Sequence, residues 1–157
     1  MIFEEPKEVT EKQTITVYID GAAKPNPGRG GCGIVIRSEN FDYKLSVKMS
    51  QKKVSGIDAE YYALLIAFMQ LEQNNCYDED ITIISDSEVL VKQMNDETAP
   101  ELDCSYVKYY DQAIRTMIKF INISFEHVTR ENNTEANELA SKAVNLPDNK
   151  MTRFSGN

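Results

Sequence analysis

The stretch TITVYIDGAAKPNPGRGGCGIVIRS, residues 14–38, carries the first decision about the fold. Its opening, TITVYID, alternates with period two, so Ile15, Val17 and Ile19 share one face and Thr16, Tyr18 and Asp20 the other, as in a strand. GAAKPNPGRGG, rich in glycine and proline, reads as a turn-rich connection too long for a tight hairpin. CGIVIRS and FDYKLSVKM are two further strands with a turn at 38–40, so the chain opens as an antiparallel three-stranded meander.

Downstream the period changes. From Ile57 to Gln73 the spacing of Ala59, Ala63, Ile66, Ala67 and Leu71 is helical. ITIIS, residues 81–85, is a short continuous apolar run, suited to a strand buried on both faces. SEVLVKQM is a short helix, and Pro100 breaks the connection after it. Leu102 to Phe120 forms a second long helix, INISFEHV a strand, and Thr134 to Val144 a last helix that Leu146-Pro147 stops. The order β-β-β-α-β-α-α-β-α predicts an α/β fold, a five-stranded mixed sheet flanked by helices. One domain covers residues 14–145, with a flexible leader over 1–13 and an irregular tail over 146–157.

Length and composition agree with one globular domain: 157 residues, 41% hydrophobic, with ordinary glycine and proline counts. No apolar run reaches the roughly 18–20 residues of a bilayer span, and the polar, acidic first residues lack a signal-peptide layout. The three cysteines, Cys32, Cys76 and Cys104, form no C-x-x-C pair, and with a single histidine a structural zinc site is excluded. The chain is therefore expected to be a cytoplasmic monomer without membrane contact. Its net charge of −8 is unevenly spread. Residues 21–53 hold seven basic side chains against two acidic ones, a balance of +5 that leaves −13 for the rest. Such a run is either a solvated face or an edge that grips phosphates.

Four polar positions stand where apolar segments end. Asp20 closes the first strand, Glu60 lies early in the first helix, Asp86 closes ITIIS, and Asn137 lies in the first turn of the last helix. Each has a purely structural reading. Asp20-Gly21 suits a turn, Glu60 suits a helix N-terminus, Asp86 suits an N-cap, and Asn137 suits an exposed helix position. Together they suggest a site beyond the carboxyl ends of the strands, where clustered carboxylates need a hard cation between them.

Four motifs carry a resemblance. YIDGAAKPNPGRGGCGIVI, DAEYYALLIAF, IISDSEVLVKQM and HVTRENNTEANELASKA resemble, in order and spacing, the four motifs of the type 1 ribonuclease H family, over residues 14–144. The resemblance implies the ribonuclease H fold and metal-dependent hydrolysis of the RNA strand of an RNA–DNA hybrid, leaving a 5′ phosphate and a 3′ hydroxyl. It implies that Asp20, Glu60 and Asp86, with Asn137 at the fourth position, hold two ions of Mg²⁺ or Mn²⁺, which in such sites lie about 3.5–4 Å apart. Substrate contacts fall to Gly21, Asn26 and Gly28 of the glycine-rich turn, to Ser87, to Lys52 and Lys53, and to Arg130.

The chain departs from the family pattern at three places. Asn137 replaces the fourth acid, and Glu135 and Glu138 lie about 100° or more around the helix from it, too far to substitute. An amide there predicts a weakened second metal site. Ser55-Gly56-Ile57-Asp58 stands where members often carry an asparagine pair that reads the minor groove, and the short connection 95–101 leaves no room for a basic handle. His127, at a strand end, reads as a packing residue. The alternative consistent with these departures is a weak or inactive module that binds nucleic acid or protein. A 3′–5′ exonuclease is disfavoured because Ala22, not an acid, follows two residues after Asp20.

Overall fold

The computed structural model describes residues 12–147 and 151–155. The leader expected over 1–13 therefore lies, but for Lys12 and Gln13, outside the described residues. The strands are β1 (Thr14–Lys24), β2 (Arg29–Arg37), β3 (Asp42–Lys48), β4 (Asp80–Ser85), β5 (Asn122–His127) and β6 (Met151–Ser155). The helices are α1 (Gly56–Gln73), α2 (Glu88–Met94), α3 (Val107–Met117) and α4 (Thr134–Val144). The sheet order is β5-β4-β1-β2-β3-β6. β1 runs antiparallel to β2 and parallel to β4, so the sheet is mixed as the sequence predicts.

Three boundaries differ from the sequence reading. β1 does not end at Asp20 but runs on to Lys24, pairing Gly21 with Cys32 and Lys24 with Arg29. Alternation alone hid this, because small residues at 21–23 look like turn residues while still fitting a ladder. The second long helix begins at Val107 rather than Leu102. Within the tail, read as irregular, Met151–Ser155 pairs antiparallel with β3 as a sixth strand.

Helices cover both faces. Odd-numbered Ile15, Val17 and Ile19 of β1 join Ile34 and Ile36 of β2 in a core with Leu64, Phe68 and Leu71 of α1. Tyr18 and Val35, pointing the other way, pack with Ala136 and Leu139 of α4. Close approach of α4 requires the glycine at position 33, where a Cβ would sit 2.1 Å from the Ala136 carbonyl oxygen. α4 is tied down further. Arg37 and Lys44 both reach the Glu135 carboxylate, at 2.6 and 2.8 Å, and the Lys48 ammonium donates to the Val144 carbonyl at 2.8 Å. No helix among the described residues is long and apolar enough to cross a membrane.

α1 begins at a capping box. The Ser55 hydroxyl accepts from the Asp58 amide at 3.2 Å, and the Asp58 carboxylate accepts from the Ser55 amide at 2.8 Å. The helix is apolar nearly all round because it is sandwiched between the sheet and α3. The stretch standing where an asparagine pair was sought is thus the cap that fixes the axis of α1.

Candidate metal centre

The parallel register of β1 and β4 ends at the pair Ile19–Ser85. Asp20, the next residue of β1, and Asp86, the first residue after β4, follow that pair, so two carboxylates emerge side by side where the ladder stops. Glu60 joins them from α1. Its approach depends on Gly21, where a Cβ would fall 2.2 Å from the Ala59 carbonyl carbon and 2.3 Å from the Glu60 amide nitrogen. The missing side chain at Gly21 thus gives α1 room to approach β1. The result is a cluster in which one carboxylate oxygen from each of Asp20, Glu60 and Asp86 lies within 4.8 Å of the others.

The environment of these acids favours a cation. Asp20 is 3% exposed. Burial and the neighbouring Asp86 carboxylate push it up to about 7, although it accepts hydrogen bonds from Asn137 and Gly21. Burial, with Asp20 and Asp86 adding, pushes Glu60 up to about 8 despite its hydrogen bond with Ser87. Burial and mutual repulsion disfavour the anionic forms of these acids, and a positive charge between them would offset that. Three carboxylate donors of this spacing suit a hard divalent cation, which takes oxygen ligands and keeps several waters.

Asn137 is at the site but differently from expectation. Its Nδ2 donates to Asp20 Oδ2 at 2.8 Å, so the amide presents a donor, not a ligand oxygen, toward the acids. Its backbone N–H donates to the Asn133 carbonyl at 3.1 Å, while Asn133 Nδ2 donates across to the Ile19 carbonyl at 2.9 Å. The start of α4 is thereby pinned to β1 one residue before Asp20.

A cleft of about 520 Å³ opens over the cluster, lined by Asp20, Glu60, Asp86, Asn137, Asn26 and Arg130 among others. Asn26 also accepts from the Gly56 amide through Oδ1 at 3.1 Å, tying the β1–β2 turn to the start of α1. Ser87 caps α2, accepting from the Leu90 amide at 3.2 Å. Gly28 serves the turn itself, bridged to Val54, and a Cβ there would meet the Pro25 carbonyl at 2.3 Å. Lys52 and Lys53 are exposed on the β3–α1 loop and do not line the cleft. His127 does line it and is exposed, so the packing reading of that residue is corrected. Lys24 and Ser141 also line the cleft and were missed. Asn137 and Ser141 are spaced by four on α4, a periodicity that the sequence displayed.

Comparison with known proteins agrees with this fold. Residues 18–143 match the family described as reverse transcriptase-like. The chain is 30% identical over 138 residues to the uncharacterized protein YpeP of Bacillus subtilis, covering 85% of this chain and 60% of that protein. It is 29% identical over 151 residues to a ribonuclease H of Francisella philomiragia, covering 86% of this chain and 93% of that protein. The crystal structure of LC11-RNase H1 in complex with an RNA/DNA hybrid superimposes with a TM-score of 0.74 at 27% identity, covering 83% of this chain and 96% of that one. With its mixed sheet, its four motifs in order and these relatives, the chain belongs to the reverse transcriptase-like, type 1 ribonuclease H family.

Proposed function

We propose that this protein is a divalent-metal-dependent endonuclease that hydrolyses the RNA strand of RNA–DNA hybrids, leaving a 5′ phosphate and a 3′ hydroxyl. The observation that carries the reading is the convergence of Asp20, Glu60 and Asp86 within 4.8 Å at the end of a parallel strand pair. Its setting supports it: relatives over most of the chain include a ribonuclease H, and a similar solved structure holds an RNA/DNA hybrid. Two ions of Mg²⁺ or Mn²⁺ held by Asp20, Glu60 and Asp86 would lower the pKa of the attacking water and stabilise the leaving 3′ oxygen.

The chain's own residues do the rest. Asp20, Glu60 and Asp86 would supply the oxygen ligands; burial and their mutual repulsion raise the proton affinity of Asp20 and Glu60. Ser87 orients Glu60, and Asn137 orients Asp20 by donating from Nδ2 to Asp20 Oδ2. Arg130 stands exposed on the cleft wall, placed to meet a backbone phosphate. Asn26 and Gly21 line the same cleft and would contact sugar 2′ hydroxyls, the groups that distinguish RNA from DNA. All three cysteines are free thiols, which suits a reducing compartment such as the cytoplasm.

One observation favours a second reading, a weak or inactive binding module. Asn137 puts an uncharged amide at the fourth position, and its Nδ2 donates to Asp20. Cleavage of an end-labelled hybrid at low salt, with Mg²⁺ or Mn²⁺, separates the two. The nuclease reading expects metal-dependent cutting of the RNA strand, 5′-phosphate ends, and loss of at least about 10³-fold in Asp86→Asn. A folded wild-type protein that binds the hybrid and cuts with neither metal would establish the binding module instead.

A further inference from the structure

The basic run of residues 21–53 is not one surface. Arg37 and Lys44 are engaged with Glu135, and Lys48 donates to Val144, so three of its seven cations hold α4 on the sheet. Lys24 is different: it is exposed and lines the cleft of the acidic cluster. It arrives there because β1 continues beyond Asp20. Asp20, Ala22 and Lys24 are alternate residues of one strand, so they share a face. Lys24 follows Asp20 by four residues, about 13 Å along the strand, with only the small Ala22 between. In the register its partner on β2 is Arg29, so a second cation stands at the same end of the hairpin.

The geometry points to Lys24 as a phosphate anchor of the substrate strand, set more than one phosphate step away from the acids that act on the scissile bond. This inference rests on the nucleic-acid reading of the cleft. Its physical content is a division of labour along one strand. A catalytic cluster of carboxylates repels the polyanion it must cut, and near-by ammonium charge in a −8 protein offsets that repulsion without touching the reacting atoms. Small Ala22 lets the backbone of the substrate pass between the two groups.

The test compares the full chain with Lys24→Ala and Lys24→Arg, and with Lys119→Ala, which removes an exposed cation beside a groove between α1 and α3. Hybrid cleavage is measured across a salt series, with substrates carrying one neutral methylphosphonate at successive positions. For Lys24→Ala, KM rises roughly 3- to 10-fold at low salt and kcat stays within about two-fold; the salt slope of log affinity falls by about one. Lys24→Arg retains most of the affinity, and Lys119→Ala leaves the slope unchanged. One methylphosphonate position weakens the wild type and has no further effect in Lys24→Ala. An unchanged KM and slope in Lys24→Ala, beside an active wild type, overturns the anchor alone, as does a loss confined to kcat. A wild type that neither binds nor cuts the hybrid overturns the functional reading and the anchor with it.

Discussion

Replacing Asn137 by aspartate gives the sharpest test of how the acidic cluster is balanced. In the present structure the Asn137 amide donates to Asp20 Oδ2 at 2.8 Å. A hydrogen bond to a charged group is worth roughly 1.5–3 kcal/mol, and Asn137→Asp removes it. It also puts a second carboxylate against one that burial and Asp86 already push up to about 7. The new pair escapes repulsion by keeping a proton. At pH 7 the penalty is therefore capped near the cost of protonating an ordinary carboxyl, about 4 kcal/mol for three pH units. The expected loss in metal-free stability at pH 7 is about 2–4 kcal/mol, which for a chain of this size lowers Tm by roughly 5–15 °C. The sign with pH follows from the raised folded-state pKa. The pair binds protons more tightly folded than unfolded, so the deficit is small near pH 4 and grows as pH rises toward 8.

With Mn²⁺ the direction reverses. The new carboxylate is an anionic ligand where the amide offered a donor, so metal affinity rises about ten-fold or more, and ligation returns at least about 1.4 kcal/mol of the lost stability. Urea unfolding in EDTA and in millimolar Mn²⁺, at pH 5 and pH 7, reads both effects, and titration calorimetry reads the affinity. A variant as stable as the wild type in EDTA at pH 7, or one with unchanged Mn²⁺ affinity, would refute the account of Asn137 as a donor in a charge-crowded site.

Two further outcomes follow from the same geometry. Gly21→Ala places a methyl 2.2 Å from Ala59 and 2.3 Å from Glu60 backbone atoms, so α1 must retreat by more than about 1 Å to reach ordinary contact near 3.5 Å. Stability should fall by about 1–3 kcal/mol and hybrid cleavage by roughly 10²-fold, and an unchanged unfolding midpoint with full activity would contradict the close approach. Asp20 and Glu60, raised to about 7 and about 8 from ordinary values of 3.8 and 4.5, hold protons that a divalent ion must displace. Metal affinity should therefore climb between pH 5 and 8 and level off above, with release of about one to two protons per site near pH 6.5, measured by calorimetry in buffers of different ionisation enthalpy. Binding without proton release would show that these acids are already ionised.

The fold was legible because its signals are of the strongest kinds. Period-two alternation in TITVYID, the apolar run ITIIS and the helical spacing of 57–73 each survive in the structure. What escaped has a common cause: small residues carry little hydrophobic pattern. Gly21, Ala22 and Ala23 look like turn, so the end of β1 was lost, and with it the placing of Lys24. The strand Met151–Ser155 escaped because pairing with β3, rather than periodicity, makes it a strand. At the site, acidic residues at the ends of apolar strand segments and in the first helix picked out Asp20, Glu60 and Asp86, which do come together. Which atom of Asn137 faces Asp20, and which way His127 points, depend on neighbours distant in sequence that no local pattern encodes.

The rigidity of α4 decides how the Asn137 position should be understood. Glu135, two residues before it, takes both Arg37 and Lys44, and Asn133, four before, donates to the Ile19 carbonyl of β1. At the far end the Val144 carbonyl accepts from Lys48, and between them Gly33 lets the Ala136 backbone into contact with β2. Restraints on both sides of Asn137 hold the helix against the sheet. An exchange of amide for carboxylate at 137 therefore changes charge and hydrogen-bond polarity at a fixed distance from Asp20, with little change of shape. It also accounts for the positive run in an acidic protein. Three of those seven cations clamp α4 to the sheet, and of the other four it is Lys24 that lines the cleft.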